Sequence, residues 1–556
     1  MVKLVNPKVK ILDYGPKIMS KNGKVILTPD ELVYGGAIAT YQDVDSMQEL
    51  LNKKKEYFQL KKRLDNTTDF AKKQNLEAKI EDLDYSPKKI KNKILGICAR
   101  GHASMATTPV VWFDIMNSSK LIDSIFTGAR FGSFLMPSSR RVPITKENIV
   151  IPRGVKEKGR RAEKIYVESA ENNVETYEKV QNNNVETQDA SKIVHYGHAG
   201  GGRLQMPLDT IIYFKNLMDN DFDNAIPREG KEIISQLDSW IRDGSGMENI
   251  YVGKLRAPRT SCVNPNIFTF RRNRAEKLKE KLGIGIEPMI LNKNIEKDNE
   301  TIYRMQQWLD YRKEIFSDSD RLKNEGKKLL DKLDEIIVDN NGLINFEMGV
   351  KIPWRVWGEV KRHRTMPQTT ESVYNAMDKT LEVVHNFELH KRNVDVEVIL
   401  DAYLPIIDIP IPVQRNEDNL ELWINAWDKS ALAYQKLVEM GVEKSDAIMI
   451  VPRALLLANI KTYDLYNATT GYGSLRKCSS VENKMKEITR KELELIKESV
   501  DYKIGCLLEP KCEYIGYCPE INTCGNITQK FLPSYTKEFH KNFNKKRIKK
   551  IREELK

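Results

Sequence analysis

Two prolines, two tryptophans and a basic triplet, all inside Val350–Tyr374, limit what this chain can fold into more than any other stretch of it. The stretch reads VKIPWRVWGEVKRHRTMPQTTESVY. Val350, Trp354, Trp357 and Val360 recur at helical spacing, which predicts a helix with one buried face that delivers Arg362, His363 and Arg364 at its last turn. Pro367 is expected to end it. A helix C-terminus favours cations by roughly 0.3–1 kcal/mol each, yet these three side chains together repel unless an anion or an electron-rich ring lies against them. The triplet alone is compatible with an anion site or with a solvated basic helix end. Ser372 follows at a fixed distance.

A chain of 556 residues has length for two to four domains with sizeable cores. With 40% hydrophobic and 30% charged residues the composition is that of an ordinary water-soluble protein. It contains no apolar run of membrane-spanning length, and its start, MVKLVNPKVKILDYG, alternates like a strand rather than a signal peptide, so the expected location is cytoplasmic, with no membrane. The net charge of +12 points to anionic partners such as nucleotides, pteridine polyglutamates or nucleic acid. Part of that excess lies in the tail 537–556, which reads as a solvated basic helix; nucleic acid is the less favoured partner.

Val-Lys-x-Pro, followed at the right spacing by Arg362-His363-Arg364 and then Ser372, resembles the signature of the flavin-dependent thymidylate synthases. In that family the Arg-His-Arg segment contacts FAD, and the segment around the following Ser and Arg holds the uracil nucleotide. Here Tyr374 stands where the family has the nucleotide-binding arginine, so Ser372 is either part of a second nucleotide loop or a vestige. Further on, Gly441, Val442 and Pro452 match the family, and Leu475-Arg476 sits where a guanidinium reaches the uracil ring. Asn467 is near the family's Asn-x-Arg, but Thr469 occupies the arginine position.

The same pattern is visible earlier in the chain. Within Gly101–Arg141, His102 and Ser104 take the places of the family's Gly-His-x-Ser residues, Gly128-Ala129-Arg130 replaces Arg-His-Arg, and Ser138, Ser139 and Arg140 occupy the nucleotide loop. The resemblance therefore implies an α/β (α+β) protein, with a central sheet flanked by helices, built twice over and followed by a small Cys-bearing tail. The expected limits are 1–255 for the first repeat, 256–500 for the second and 501–556 for the tail. Residues 46–95 read as an inserted helical hairpin or oligomer contact. The segment about 154–192, in which Asn-Asn-Val-Glu-Thr occurs twice, reads as a mobile surface loop because it is poor in apolar residues.

The two copies have decayed in complementary places. Because the family's active sites lie at subunit interfaces, the resemblance implies one composite site. In it, Arg362, His363, Arg364, His102 and Ser104 contact FAD, Ser138, Ser139 and Arg140 hold the nucleotide, and Arg476, with Arg140, serves catalysis. It further implies dUMP as substrate, methylenetetrahydrofolate and NADPH as co-substrates, and a homodimer of fused repeats. Two rivals stay open: a flavin enzyme that methylates or hydroxymethylates another pyrimidine, including one in nucleic acid, and a degenerate non-catalytic relative. Separately, Cys506, Cys512, Cys518 and Cys524 recur every six residues between Gly and Pro turns, a pattern open to zinc, an iron–sulfur cluster, disulfides or free thiols.

Overall fold

The computed structural model describes residues 3–39, 46–83, 85–102, 104–138, 144–257, 265–388, 395–516, 518 and 524. Helices and strands alternate along it, and two four-stranded antiparallel sheets dominate. The first comprises β1 (Lys8–Gly15), β2 (Val110–Ser119), β3 (Ser133–Leu135) and β4 (Ala199–Pro207), in the order β1-β2-β4-β3. The second comprises β5 (Met289–Ile295), β6 (Ile344–Pro353), β7 (Gln368–Thr370) and β8 (Leu456–Asp464), in the order β5-β6-β8-β7. Among the described residues no helix is long and apolar enough to cross a membrane.

The two sheets share more than strand order. The long edge strand of each sheet carries one bulge, at Leu12 in β1 and at Leu291 in β5, beside the same pair of positions on its neighbour, while only the first sheet has a further irregularity between Ile115 and Ser118. Leu204 on β4 faces Phe113 and Phe134, while Lys461 on β8 faces Met348 and Gln368. The chain before each last strand is also alike: a 23-residue helix, Arg160–Asn182 or Glu417–Glu439, then a four-residue helix, Thr187–Ala190 or Lys444–Ala447, then a 3-10 turn.

Strand β6 shows why these segments extend. Ile344, Phe346, Met348, Val350 and Ile352 alternate into the core while Asn345, Glu347 and Lys351 stay on the more open face. Val350 is thus a strand residue, not the start of the expected helix. The helix begins after Pro353 and spans only Trp354–Val360. It buries Trp354, Val356, Trp357 and Val360, each worth about 1.5–3 kcal/mol.

Two compact units emerge, and they are not the contiguous blocks 1–255 and 256–500. One contains Met1–Glu175, Val194–Phe270 and Ala426–Pro452; the other contains Thr176–Ile193, Arg271–Asn425 and Arg453–Lys556. Two of these limits fall inside the 23-residue helices, so each helix has residues in both units. The expected mobile loop at 154–192 is mostly one of those helices. Ala162, Tyr166, Ala170, Val174 and Tyr177 bury one face, and within the first unit Asn173 exchanges hydrogen bonds of 2.9 and 3.0 Å with Ser430. Its seam is partly Asn, Ser and Thr, which lowers apolar content without lowering burial. The insertion 46–95 forms three helices rather than a hairpin: Ser46–Asp65, Phe70–Asp82 and Pro87–Ala99, the second and third capped by Asp69 and Ser86.

Candidate functional site

In the second unit, the chain leaves the helix Trp354–Val360 through a tight turn. The His363 amide donates to Val360 O at 3.0 Å and the Met366 amide donates to His363 O at 3.2 Å. Pro367 then lets the chain rejoin the sheet, where its carbonyl accepts from the Thr462 amide at 3.0 Å and β7 pairs with β8. The basic triplet therefore lies on a turn past the helix end. Arg362 is exposed, and His363 and Arg364 are half-buried.

Arg476, on the short helix Tyr472–Arg476, donates from Nε to His363 Nε2 at 2.7 Å and from Nη1 to Glu359 at 3.1 Å. A guanidinium nitrogen can only donate, so His363 Nε2 accepts and the neutral ring carries its proton on Nδ1. Burial, then the charges of Arg476 and Lys461, push the imidazole down to about 3. The ring meets Tyr472 edge to face, with centroids 4.8 Å apart at 87°.

Behind Tyr472 lies a polar group that the sequence pattern does not announce. Lys461 Nζ stands 2.9 Å from Glu492 and 3.4 Å from the Tyr472 hydroxyl, and Tyr463 donates to Glu492 at 2.6 Å. The Lys461 and Glu492 side chains are both 0% exposed. Burial works against the Lys461 charge, but Glu492 and then Tyr472 leave the ammonium above the ordinary lysine range. Glu359, at the end of the tryptophan helix, also escaped the motif reading, although it lies four residues before His363, the helical spacing for a shared face.

The residues after the triplet are committed to the core. Ser372 is fully buried, and its hydroxyl accepts from the Tyr374 amide at 3.2 Å, capping the helix Val373–Glu388. Its own amide donates to Glu276 at 3.1 Å. Tyr374 is also fully buried, and Glu371 binds Lys279 and accepts from the Ala458 amide at 2.9 Å. Thr365 and Asn467 are joined at 3.0 Å, and Asp464 holds the Asn467 side chain at 2.8 Å, so Asn467 acts as a brace.

In the first unit His102 and Ser104 are exposed at the start of the short helix Ser104–Thr107, and Ser138 is exposed beyond β3. Ser139 and Arg140 lie outside the described residues. Ala129 is buried and the Arg130 guanidinium lies 5.7 Å from the Phe131 ring, so no counterpart of the basic triplet forms there.

Among the described residues no group of three or more His, Cys, Asp or Glu stands where it could hold a metal ion. Cys506 closes the turn Tyr502–Gly505 through its amide, while Cys512 sits in the helix Lys511–Ile515. Burial, then Glu513 and the thiols of Cys518, Cys478 and Cys524, push the Cys512 thiol up to about 11.

The family model for the thymidylate synthase complementing protein matches residues 342–500, the segment that holds the triplet, Lys461, Tyr472 and Arg476. The match to that family lies in this segment. Relatives agree: the flavin-dependent thymidylate synthases of Pyrococcus abyssi and Pyrococcus furiosus are 27% and 28% identical over 115 residues. Those alignments cover 20% of this chain, which spans about half, 47%, of each relative's length. Among solved structures, the UMP/dUMP methylase PolB from Streptomyces cacaoi aligns with 47% of this chain and all of its own at 11% identity and a TM-score of 0.33. The flavin-dependent thymidylate synthase ThyX from Helicobacter pylori, complexed with FAD and dUMP, aligns with 40% of this chain and 97% of its own at 12% identity and a TM-score of 0.25.

Proposed function

We propose that the chain is a flavin-dependent, thymidylate synthase-like methyltransferase that converts dUMP to dTMP with methylenetetrahydrofolate and NADPH. The observation that carries this reading is the neutral, singly oriented His363 tied to Arg476 inside the family-matched segment. Bound FAD supplies carbon and hydride transfer. The chain's own residues bind and polarise. Arg362 and Arg364 bring two permanent positive charges to the turn, suited to an electron-rich ring or a phosphate. His363 offers Nδ1–H without adding charge. Arg476 keeps further N–H groups with which to draw electron density from a pyrimidine carbonyl, and Glu359 offsets its charge.

Equal strand order, matched bulges and matched register support reading the two units as copies. With Ser372 and Tyr374 committed to the core, this reading assigns the nucleotide to Ser138, Ser139 and Arg140 and adds His102 and Ser104 to the cofactor contacts. The same commitment favours one alternative, a flavin enzyme whose pyrimidine substrate is not dUMP.

The test is spectroscopic and kinetic. The purified protein binds FAD and oxidises NADPH in a dUMP-dependent way, and Arg364→Ala and Arg140→Ala each lower that activity at least about 100-fold, a loss of roughly 2.7 kcal/mol. FAD binding without dUMP stimulation selects the alternative, and a protein that binds no flavin contradicts both. If only one of the two arginines matters, the composite site is wrong.

A further inference from the structure

The sheet of the second unit carries a charge where the sheet of the first carries none. Lys461 and Leu204 occupy the same place, on the inner strand beside the short edge strand and opposite the same partner position. Two residues on, Tyr463 corresponds to Met206. Leu204 and Met206 are both 0% exposed, so an apolar pair fills this position in the same strand arrangement. Replacing a buried ion pair by apolar residues is often neutral or stabilising. The fold therefore does not require Lys461 and Glu492, and what sets the second unit apart is what lies against them.

Their neighbour is Tyr472. It touches Lys461 through its hydroxyl, is reached by Thr489 at 3.4 Å, and lays its ring edge to face against His363. Tyr472 also opens the short helix that ends at Arg476. One tyrosine thus couples a buried ion pair to both members of the His363–Arg476 contact. The charged and titratable groups around His363 come from three elements: Glu359 from the tryptophan helix, Tyr472 and Arg476 from the short helix, and Lys461 from β8.

We propose that the Lys461–Glu492 pair is a positioning element of the site: by anchoring the Tyr472 hydroxyl it fixes the His363 ring in one tautomer and orientation, and so aims the Arg476 guanidinium at the pyrimidine. The aiming at a pyrimidine rests on the function proposed above; the fixing of His363 does not. Lys461 and Glu492 touch neither cofactor nor substrate in this scheme and act only through Tyr472.

The test pairs a fold measurement with a site measurement. A double variant, Lys461→Leu with Glu492→Leu, imitates the first unit's apolar solution and leaves no unpaired buried charge. It is expected to melt at or above the temperature of the unaltered protein. Its His363 nitrogen resonances are expected to change from a single Nδ1–H tautomer to a mixture, and its KM for dUMP to rise about tenfold while FAD stays bound. Tyr472→Phe, which removes only the hydroxyl, is expected to show the same tautomer change and serves if the double variant does not fold. The proposal is overturned if a folded variant keeps a single His363 tautomer. A tautomer change in a protein whose unaltered form shows no dUMP-dependent turnover supports the positioning role and contradicts the proposed function instead.

Discussion

The two units answer the same problem, a carboxyl group inside a core, in opposite ways. In the second, Lys192 is buried among Asp189 at 3.1 Å, Asp408 at 2.8 Å and Glu482 at 2.9 Å. Burial alone would strip its proton, but Asp408, Glu482 and Asp189 together hold it above the ordinary lysine range. Burial likewise disfavours the Glu482 carboxylate, yet Lys192 and then Arg355 keep it below the ordinary range. In the first unit Met449 stands on the 3-10 turn where Lys192 does, and Asp446 stands where Asp189 does. There burial pushes Asp446 up to about 6, and it also pushes Glu229 and Asp30 up to about 7. One backbone plan thus accepts an acid with a raised pKa in one unit and a lysine-carboxylate cluster in the other.

The largest expected effect comes from removing the cation at the centre of this contrast. Lys192→Met imitates the first unit but strands three carboxylates, and should cost about 3–5 kcal/mol, lowering the melting temperature by roughly 10 °C. A loss below about 1 kcal/mol would mean the three acids simply take up protons, and the contrast between the units would collapse.

Next in size is an opposite response to pH. In the second unit His363 is depressed, so its contribution is complete above the unfolded value near 6.5 and is lost as pH falls toward about 3, at about 1.4 kcal/mol per pH unit. Glu482 loses its contribution in the same direction, below the ordinary carboxylate value of 4.5. In the first unit Asp446 and Glu229 are raised, so their contributions are complete in acid, below about 4, and are lost as pH rises through about 6 and 7. Hydrogen exchange resolved along the chain should show the second unit loosening first near pH 4.5 and the first near pH 8. The same order at both values would contradict this.

Two smaller effects sharpen the picture. Asp446→Asn keeps an acceptor for the Gly154 amide, now at 2.9 Å from the carboxylate, and should remove the Asp446 share of the first unit's loss of stability between about pH 4 and 6, leaving the Glu229 share, while gaining about 1 kcal/mol at pH 8. Ser372→Ala removes a buried cap and should cost about 1 kcal/mol in stability. It should leave dUMP binding unchanged, and a weakened nucleotide response would return Ser372 to the site.

Much of this was legible in the sequence because it depends on motif spacing. The Arg362-His363-Arg364 turn and its partner Arg476 lie 112 residues apart from Arg364 to Arg476, yet the family pattern names both. What escaped notice depends on contacts with no sequence period. Lys461 reads as a polar break in an apolar strand, and only its distance to Glu492 shows it to be paired. Composition makes the helix Arg160–Asn182 read as a loop because its buried seam uses Ser169, Asn173 and Thr176, which count as polar. Val350 fits a helical pattern in the sequence because a strand's alternate residues and a helix's fourth residues coincide over one turn.

The most direct measurement of the central claim, that the second unit carries a flavin and pyrimidine site built on His363 and Arg476, is a dUMP titration of the FAD-loaded protein followed in the flavin absorbance bands. The predicted result is a saturable change in those bands that Arg476→Ala weakens at least about tenfold, or roughly 1.4 kcal/mol, while FAD remains bound. A protein that takes up no FAD, or whose flavin bands respond to dUMP equally well without Arg476, would contradict it.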